Sequence, residues 1–378
     1  MEKDRMAAQR HLYIFTLIGL LLGVVVDILI RYNNTTAFIY SVVTIFGVLF
    51  ALTYNNVNFS RLIGTSFLLA FFLSIPLFPL KMDYSMKDYF HFFTFFVGFP
   101  FFIYVAHCFH YAYHHDNTWR VSYSSLFAGV WNTIPLLFIA LVFSSLANLL
   151  IVLGSFVFKT VGNNYLWDLY FYNRDFKLIS NTTLFFMGLG VGQQNLNIIH
   201  NMRFLLLRIM YYLFPLLAAI SILYFILYTF HSFSSSQEHI NPLIVLIPLT
   251  TAGIIFFNAY FQDGTIKSDY PSWLKLSLRV YRVILFLLAL MMTYKILSDF
   301  SLDTNAFIYL LVAVLFSFTY AITAFLNENQ EKQWIYMGNI GTAIFFIVTL
   351  FLCNLPYIPV EFTIGGGNAI NFITSTLS

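Results

Sequence analysis

Apolar stretches of about twenty residues alternate with short polar breaks along nearly the whole chain. A hydrocarbon core of about 30 Å takes about 20 residues of α-helix to cross. The pattern therefore predicts eleven spans: 12–30, 37–54, 61–80, 91–112, 126–158, 181–199, 204–230, 241–261, 274–295, 305–326 and 335–354. Lipid offers the backbone no hydrogen-bond partner, so each span must satisfy its own N–H and C=O groups as helix. The unbroken apolar runs from Leu17 to Val26 and from Val283 to Met292 exclude a β-barrel, whose strands alternate in segments of about ten residues. The expected fold class is all-α: a polytopic transmembrane helix bundle forming one integral membrane domain over residues 1–378. The fifth span is too long for one perpendicular crossing; it tilts, or begins as an interfacial segment around Trp131 and Pro135. The sixth, with Gly188, Gly190 and Gly192, either crosses or is re-entrant. The tail after Pro356 carries Gly365, Gly366 and Gly367 but no Lys or Arg, and it reads as a short end, flexible or packed on the outer face.

Composition narrows the picture. Hydrophobic residues make up 60% of the chain and charged residues 9%, where a soluble domain carries about 25% charged. That leaves no sizeable extramembrane domain. A net charge of +3 is too small to argue for a nucleic-acid partner. Cys108 and Cys353 lack CxxC spacing, so no disulfide framework is expected. The first apolar run is too long for a cleaved signal peptide and is expected to stay as a signal anchor. Basic residues collect on the cytoplasmic side of membranes. With the N-terminus inside and eleven crossings, twelve of the 19 Lys and Arg residues fall on that side. The expected orientation is N-terminus cytoplasmic and C-terminus outside.

Several residues in the second half carry a family resemblance. Trp131-Asn132 lies early in a long apolar span. Phe158-Lys159, an aromatic segment from Tyr165 to Phe176, and Gly188-Leu189-Gly190 follow. Later comes the string Asn258-Ala259-Tyr260-Phe261-Gln262-Asp263-Gly264, then Pro271 and a basic helix start. This order resembles the bacterial multi-pass membrane family catalogued as domain of unknown function 4153, over residues 120–325. The resemblance implies a bacterial inner-membrane helical fold, with four helices before that unit and one after it. It supplies no reaction and no catalytic residues.

Candidate chemistry sits in a few places. His107, Cys108, His110, His114, His115 and Asp116 are clustered in sequence. At 100° per residue, His107, His110 and His114 share one helical face, the spacing of a metal site or a proton relay. The competing reading is a helix end whose amphipathic side chains snorkel to the interface. Asp27 is the one acidic residue well inside an apolar run, a functional candidate by position. Arg31, four residues on, offers it a local ion pair. Lys275, Arg279 and Arg282 form a basic stripe suited to anionic lipid headgroups. Asn258, Gln262 and Asp263 offer polar groups to a substrate, or form a helix stop at Asp263-Gly264. Gly188, Gly190 and Gly192 match no nucleotide fingerprint and suit close helix packing. No cofactor is implied, and no Ser-His-Asp, HExxH or paired-carboxylate arrangement nominates an enzyme. Two function classes follow: a transporter or permease-like protein for a small solute, lipid or ion, and a non-enzymatic membrane assembly or envelope-sensing partner. A membrane-embedded enzyme is third. Without a nucleotide motif, any transport would be secondary or passive.

Overall fold

The computed structural model describes residues 2–31, 37–54, 58–78, 98–231, 241–264, 269–356, 362–365 and 368–372. The beginning of the expected fourth span, residues 91–97, lies outside them, as do Lys81, Lys87 and Lys267. The helices are α1 (Glu2–Arg31), α2 (Ala37–Thr53), α3 (Phe59–Ser74), α4 (Phe99–Asp116), α5 (Tyr123–Thr160), α6 (Tyr165–Phe171), α7 (Arg174–Gln194), α8 (Leu196–His231), α9 (Leu243–Phe261), α10 (Ser272–Asp299), α11 (Thr304–Thr323) and α12 (Glu328–Cys353). A 3-10 turn follows α3 at Ile75–Leu77, and the described residues also form three short strands: β1 (Ser301–Leu302), β2 (Phe362–Gly365) and β3 (Asn368–Phe372). By length and apolar composition, eight of the described helices suffice to cross a membrane. Among the other predicted spans, α2 is a shorter apolar helix, and 181–199 runs over the break at Asn195 between α7 and α8. The long fifth span is one continuous 38-residue helix with Pro135 inside it. This is an all-α protein with the hallmarks of a membrane bundle.

The chain forms two compact units, residues 1–92 with 103–204 and residues 93–102 with 205–378. In the first, α1 packs along α7, and α7 also packs on α5. Glycines make these approaches close. A Cβ on Gly19 would sit 2.7 Å from the Phe186 Cβ and 3.0 Å from the Thr183 Cα. One on Gly23 would sit 3.0 Å from the Ile179 Cα. Gly19 and Gly23 form a GxxxG spacing on one helical face, the pattern that lets membrane helices approach backbone to backbone. Gly188 meets the Ala140 backbone of α5, and Gly190 meets Phe15 of α1. The glycine run of α7 is thus a packing surface on an unbroken helix. Phe15, Leu22, Leu52, Leu136, Phe186 and Leu189 fill the core between these helices.

In the second unit α10, α11 and α12 pack in sequence, with α9 against α10. Leu243, Leu246, Leu288, Met292 and Leu310 form one apolar cluster, and Phe214, Phe257, Tyr281 and Tyr320 are large side chains buried to below 2% exposure. The tail departs from the flexible alternative where it is described. β1, β2 and β3 form an antiparallel sheet with Ser301 opposite Gly365 and Leu302 opposite Ile364. Gly365, at φ +104°, takes a conformation that side chains resist. A Cβ there would lie 2.4 Å from the Phe300 carbonyl oxygen.

Candidate functional site

The first unit holds a buried chain of alternating threonine and histidine side chains. Helix α4 places His107, His110 and His114 on one face, and α2, α3 and α5 each present one threonine to that face. Thr133 Oγ1 lies 3.1 Å from His107 Nε2. Thr53 Oγ1 lies 3.3 Å from His107 Nδ1 and 3.1 Å from His110 Nδ1. Thr65 Oγ1 lies 3.0 Å from His110 Nε2 and 2.8 Å from His114 Nε2. The order is therefore Thr133, His107, Thr53, His110, Thr65, His114. His107 is fully buried, His110 is 6% exposed and His114 is half-buried. From His107 to His114 the helix rises about 10 Å, so the chain leads from the buried interior towards one end of α4.

Proton bookkeeping narrows the tautomers. The Thr133 hydroxyl donates to the Gly129 carbonyl at 2.7 Å, so a neutral His107 must donate from Nε2 and leave Nδ1 as acceptor. Thr53 then gives its one proton to His107 and accepts from His110 Nδ1–H. That leaves His110 Nε2 bare. The Thr65 hydroxyl has one proton to give, and both the Arg61 carbonyl at 2.9 Å and His110 Nε2 at 3.0 Å lie within its reach. Two threonine-to-carbonyl bonds and five threonine–histidine contacts need seven protons, and three hydroxyls with three neutral imidazoles supply six. The Thr65 proton therefore serves either the Arg61 carbonyl or His110 Nε2, and one added proton at His110 Nε2 would let both bonds form. Among the described residues no carboxylate pairs with His107, His110 or His114, whereas His115 pairs with Asp116 at 3.3 Å. A charge on His110 is therefore compensated by hydroxyl oxygens alone, which favours transient over permanent occupation.

The end of α4 is fastened around this chain. The Arg61 guanidinium lies 4.5 Å from the Tyr113 ring centre, donates to the Tyr113 hydroxyl at 3.2 Å and also donates to Asn117. Asp116 accepts from the Ser122 N–H at 2.9 Å and from the Ser125 hydroxyl. Partial burial pushes the Asp116 carboxyl up, but the bonds from Ser125 and Ser122, with His115 beside it, outweigh this and hold it at about 2. Among the described residues no three His, Cys, Asp or Glu side chains group as metal ligands; threonine hydroxyls stand between the imidazoles.

The other sequence candidates fall elsewhere. Asp27 is 6% exposed and pairs with Arg31 at 2.9 Å, and Arg31 also bridges to Asp175 of α7. It thus ties α1 to α7. In the second unit Asn258, Tyr320 and Asn339 close a ring. Asn258 Nδ2 donates to the Tyr320 hydroxyl at 2.6 Å, which donates to Asn339 Oδ1 at 3.0 Å, and Asn339 Nδ2 returns to Asn258 Oδ1 at 2.9 Å. Gln262 ends α9 at φ +53°, and the Asp263 carbonyl accepts from the Tyr336 hydroxyl at 2.5 Å. The basic stripe divides by depth: Lys275 is exposed, Arg279 half-buried and Arg282 buried. Arg282 pairs with Glu331 at 2.8 Å, reaches the Thr323 carbonyl and hydroxyl at 3.4 and 3.3 Å, and lies over the Phe257 ring. Sequence reasoning missed Thr53, Thr65, Thr133 and Glu331. Each sits on a different helix from its partner, and a lone Thr or Glu carries no local signal. The chain matches no family model, no curated protein and no solved structure.

Proposed function

We propose that this membrane protein is a proton-handling, permease-like transporter, in which the Thr–His chain loads one proton onto His110 to drive movement of a small solute, lipid or ion. The observation that carries this reading is the unbroken run of five threonine–histidine contacts leading from half-buried His114 to buried His107. Loading balances without any other reactant. A proton from water makes half-buried His114 an imidazolium. Thr65 turns its hydroxyl from the Arg61 carbonyl to His110 Nε2, hands over that proton and takes the Nε2 proton of His114, which is left neutral with its proton on Nδ1. Deeper in, His107 and Thr133 end on the Gly129 carbonyl, so the chain is a loading arm rather than an open wire. In the same proposal the chain crosses the membrane eleven times from a cytoplasmic N-terminus. The resemblance to the bacterial family of domain of unknown function 4153 supports an inner-membrane location.

The test is a proton-concentration jump on proteoliposomes adsorbed to a solid-supported membrane. Wild type is expected to give a transient charge movement and His110→Leu to lose its amplitude. Thr65→Val is expected to keep the amplitude but slow the transient about tenfold, the rate equivalent of one lost hydrogen bond of about 1.4 kcal/mol. An undiminished transient in His110→Leu overturns the proposal. So does thermal stabilisation of wild type by zinc that His110→Leu loses, which would return the imidazoles to a metal role.

A further inference from the structure

The mouth of the Thr–His chain carries a charge that its own partners do not neutralise. Arg61 lies half-buried on α3, one turn before Thr65. Its guanidinium has three neutral partners: the Tyr113 ring, the Tyr113 hydroxyl and the Asn117 side-chain carbonyl. Among the described residues no carboxylate pairs with it. Asp116 is the neighbour of Asn117 in the chain, yet it is turned to Ser122, to Ser125 and to His115. A half-buried cation costs free energy unless it is paired, so leaving Arg61 without Asp116 gives up stability.

The return lies in what the charge faces. The Tyr113 ring that carries the guanidinium packs edge-on against the His114 ring, with centres 5.2 Å apart. Arg61 therefore stands beside the half-buried imidazole at the outer end of the chain. His114 is in the last turn of α4, where the negative end of the helix favours a proton on it. Arg61 is tied to that same end through Asn117, which takes the left-handed conformation at φ +54° that asparagine tolerates just past a helix. Partial burial lowers the proton affinity of His114, and the Arg61 charge lowers it further. The other titratable groups against His114 are His110 and Tyr113 on its own helix, the His110 ring centre being 4.7 Å away. The side chains that α2 and α5 bring to this face of α4 are the hydroxyls of Thr53 and Thr133. Arg61, from α3, is the permanent charge held beside His114.

We infer that Arg61 is a positioning residue of the proton route: its uncompensated charge keeps His114 neutral at rest and so sets how acid the entry side must become before His110 is loaded. This regulation rests on the proton-handling reading of the chain. Charge and route are separable, because the Arg61 atom that Thr65 addresses is the backbone carbonyl, which every substitution at this position retains.

NMR of histidine-labelled protein in micelles, followed through a pH titration, reads His114 once its signal is assigned by its loss in His114→Gln. Arg61→Gln is expected to move the His114 midpoint to higher pH. Arg61→Lys keeps the charge and should hold the midpoint near wild type. Its thermal stability should still fall as in Arg61→Gln, because one ammonium cannot serve Tyr113 and Asn117 together. Asn117→Asp gives the guanidinium a carboxylate without touching Arg61 and should also move His114 to higher pH, which decides the matter should Arg61→Gln fail to fold. A midpoint unmoved in Arg61→Gln or in Asn117→Asp, or moved equally in Arg61→Lys, overturns the inference. The proton-jump transient keeps the two readings apart. A wild-type transient with an unmoved His114 midpoint ends this inference alone, and a moved midpoint without any wild-type transient ends the transport reading alone.

Discussion

Arg282→Leu is expected to destabilise the protein by about 3–5 kcal/mol, the usual cost of removing one partner from a buried ion pair. The Arg282 side chain is 4% exposed and that of Glu331 13% exposed, so the glutamate left behind cannot recover its lost partner as hydration. The change also removes the donor to Thr323 and the cation over Phe257. Lysine is no substitute, because its single ammonium cannot serve Glu331, Thr323 and the ring at once. The double variant Arg282→Leu with Glu331→Leu should recover most of the loss, since the cost lies in the uncompensated charge. Denaturation midpoints in detergent for the single and double variants, beside exposed Lys275→Leu, measure this. A single variant no less stable than Lys275→Leu would show that the pair is not buried as described.

Gly188→Ala should also destabilise, although alanine is the better helix former by about 1 kcal/mol. The new Cβ would lie 2.7 Å from the Ala140 Cα and 2.8 Å from its carbonyl oxygen. Both are backbone atoms, so α5 and α7 must separate rather than a side chain rotate. Overpacking of this kind costs about 1–3 kcal/mol. Gly64 provides the opposite case in the same unit. Nothing lies within 4 Å of its Cβ position, and Gly64→Ala should be neutral or stabilising. The thermal midpoint should therefore fall for Gly188→Ala and hold or rise for Gly64→Ala. Gly188→Ala as stable as wild type would remove the argument that glycine sets the α5–α7 distance.

The membrane-type helical fold was legible from residue order because it rests on local quantities. Twenty apolar residues in a row need lipid whatever their neighbours, and a backbone in lipid needs helix. Asp27 with Arg31 was legible for the same reason, since four residues of helix bring the two together. So was the shared face of His107, His110 and His114. The tail shows the limit: its glycines suggest freedom, yet Gly365 is needed because the Phe300 carbonyl approaches it from a distant segment.

What the tertiary structure decided is which residue meets which across helices. One basic stripe became three different things, an exposed Lys275, a half-buried Arg279 and a buried Arg282, because α12 brings Glu331 to only one of them. Three histidines on one face are compatible with a metal, an interfacial anchor or a relay. The threonines from α2, α3 and α5 turn them into a continuous hydrogen-bonded chain. Helical period determines which side chains share a face, and the packing of separate helices determines what that face meets, because hydrogen bonds and ion pairs act over about 3 Å while their partners lie tens of residues apart in the chain.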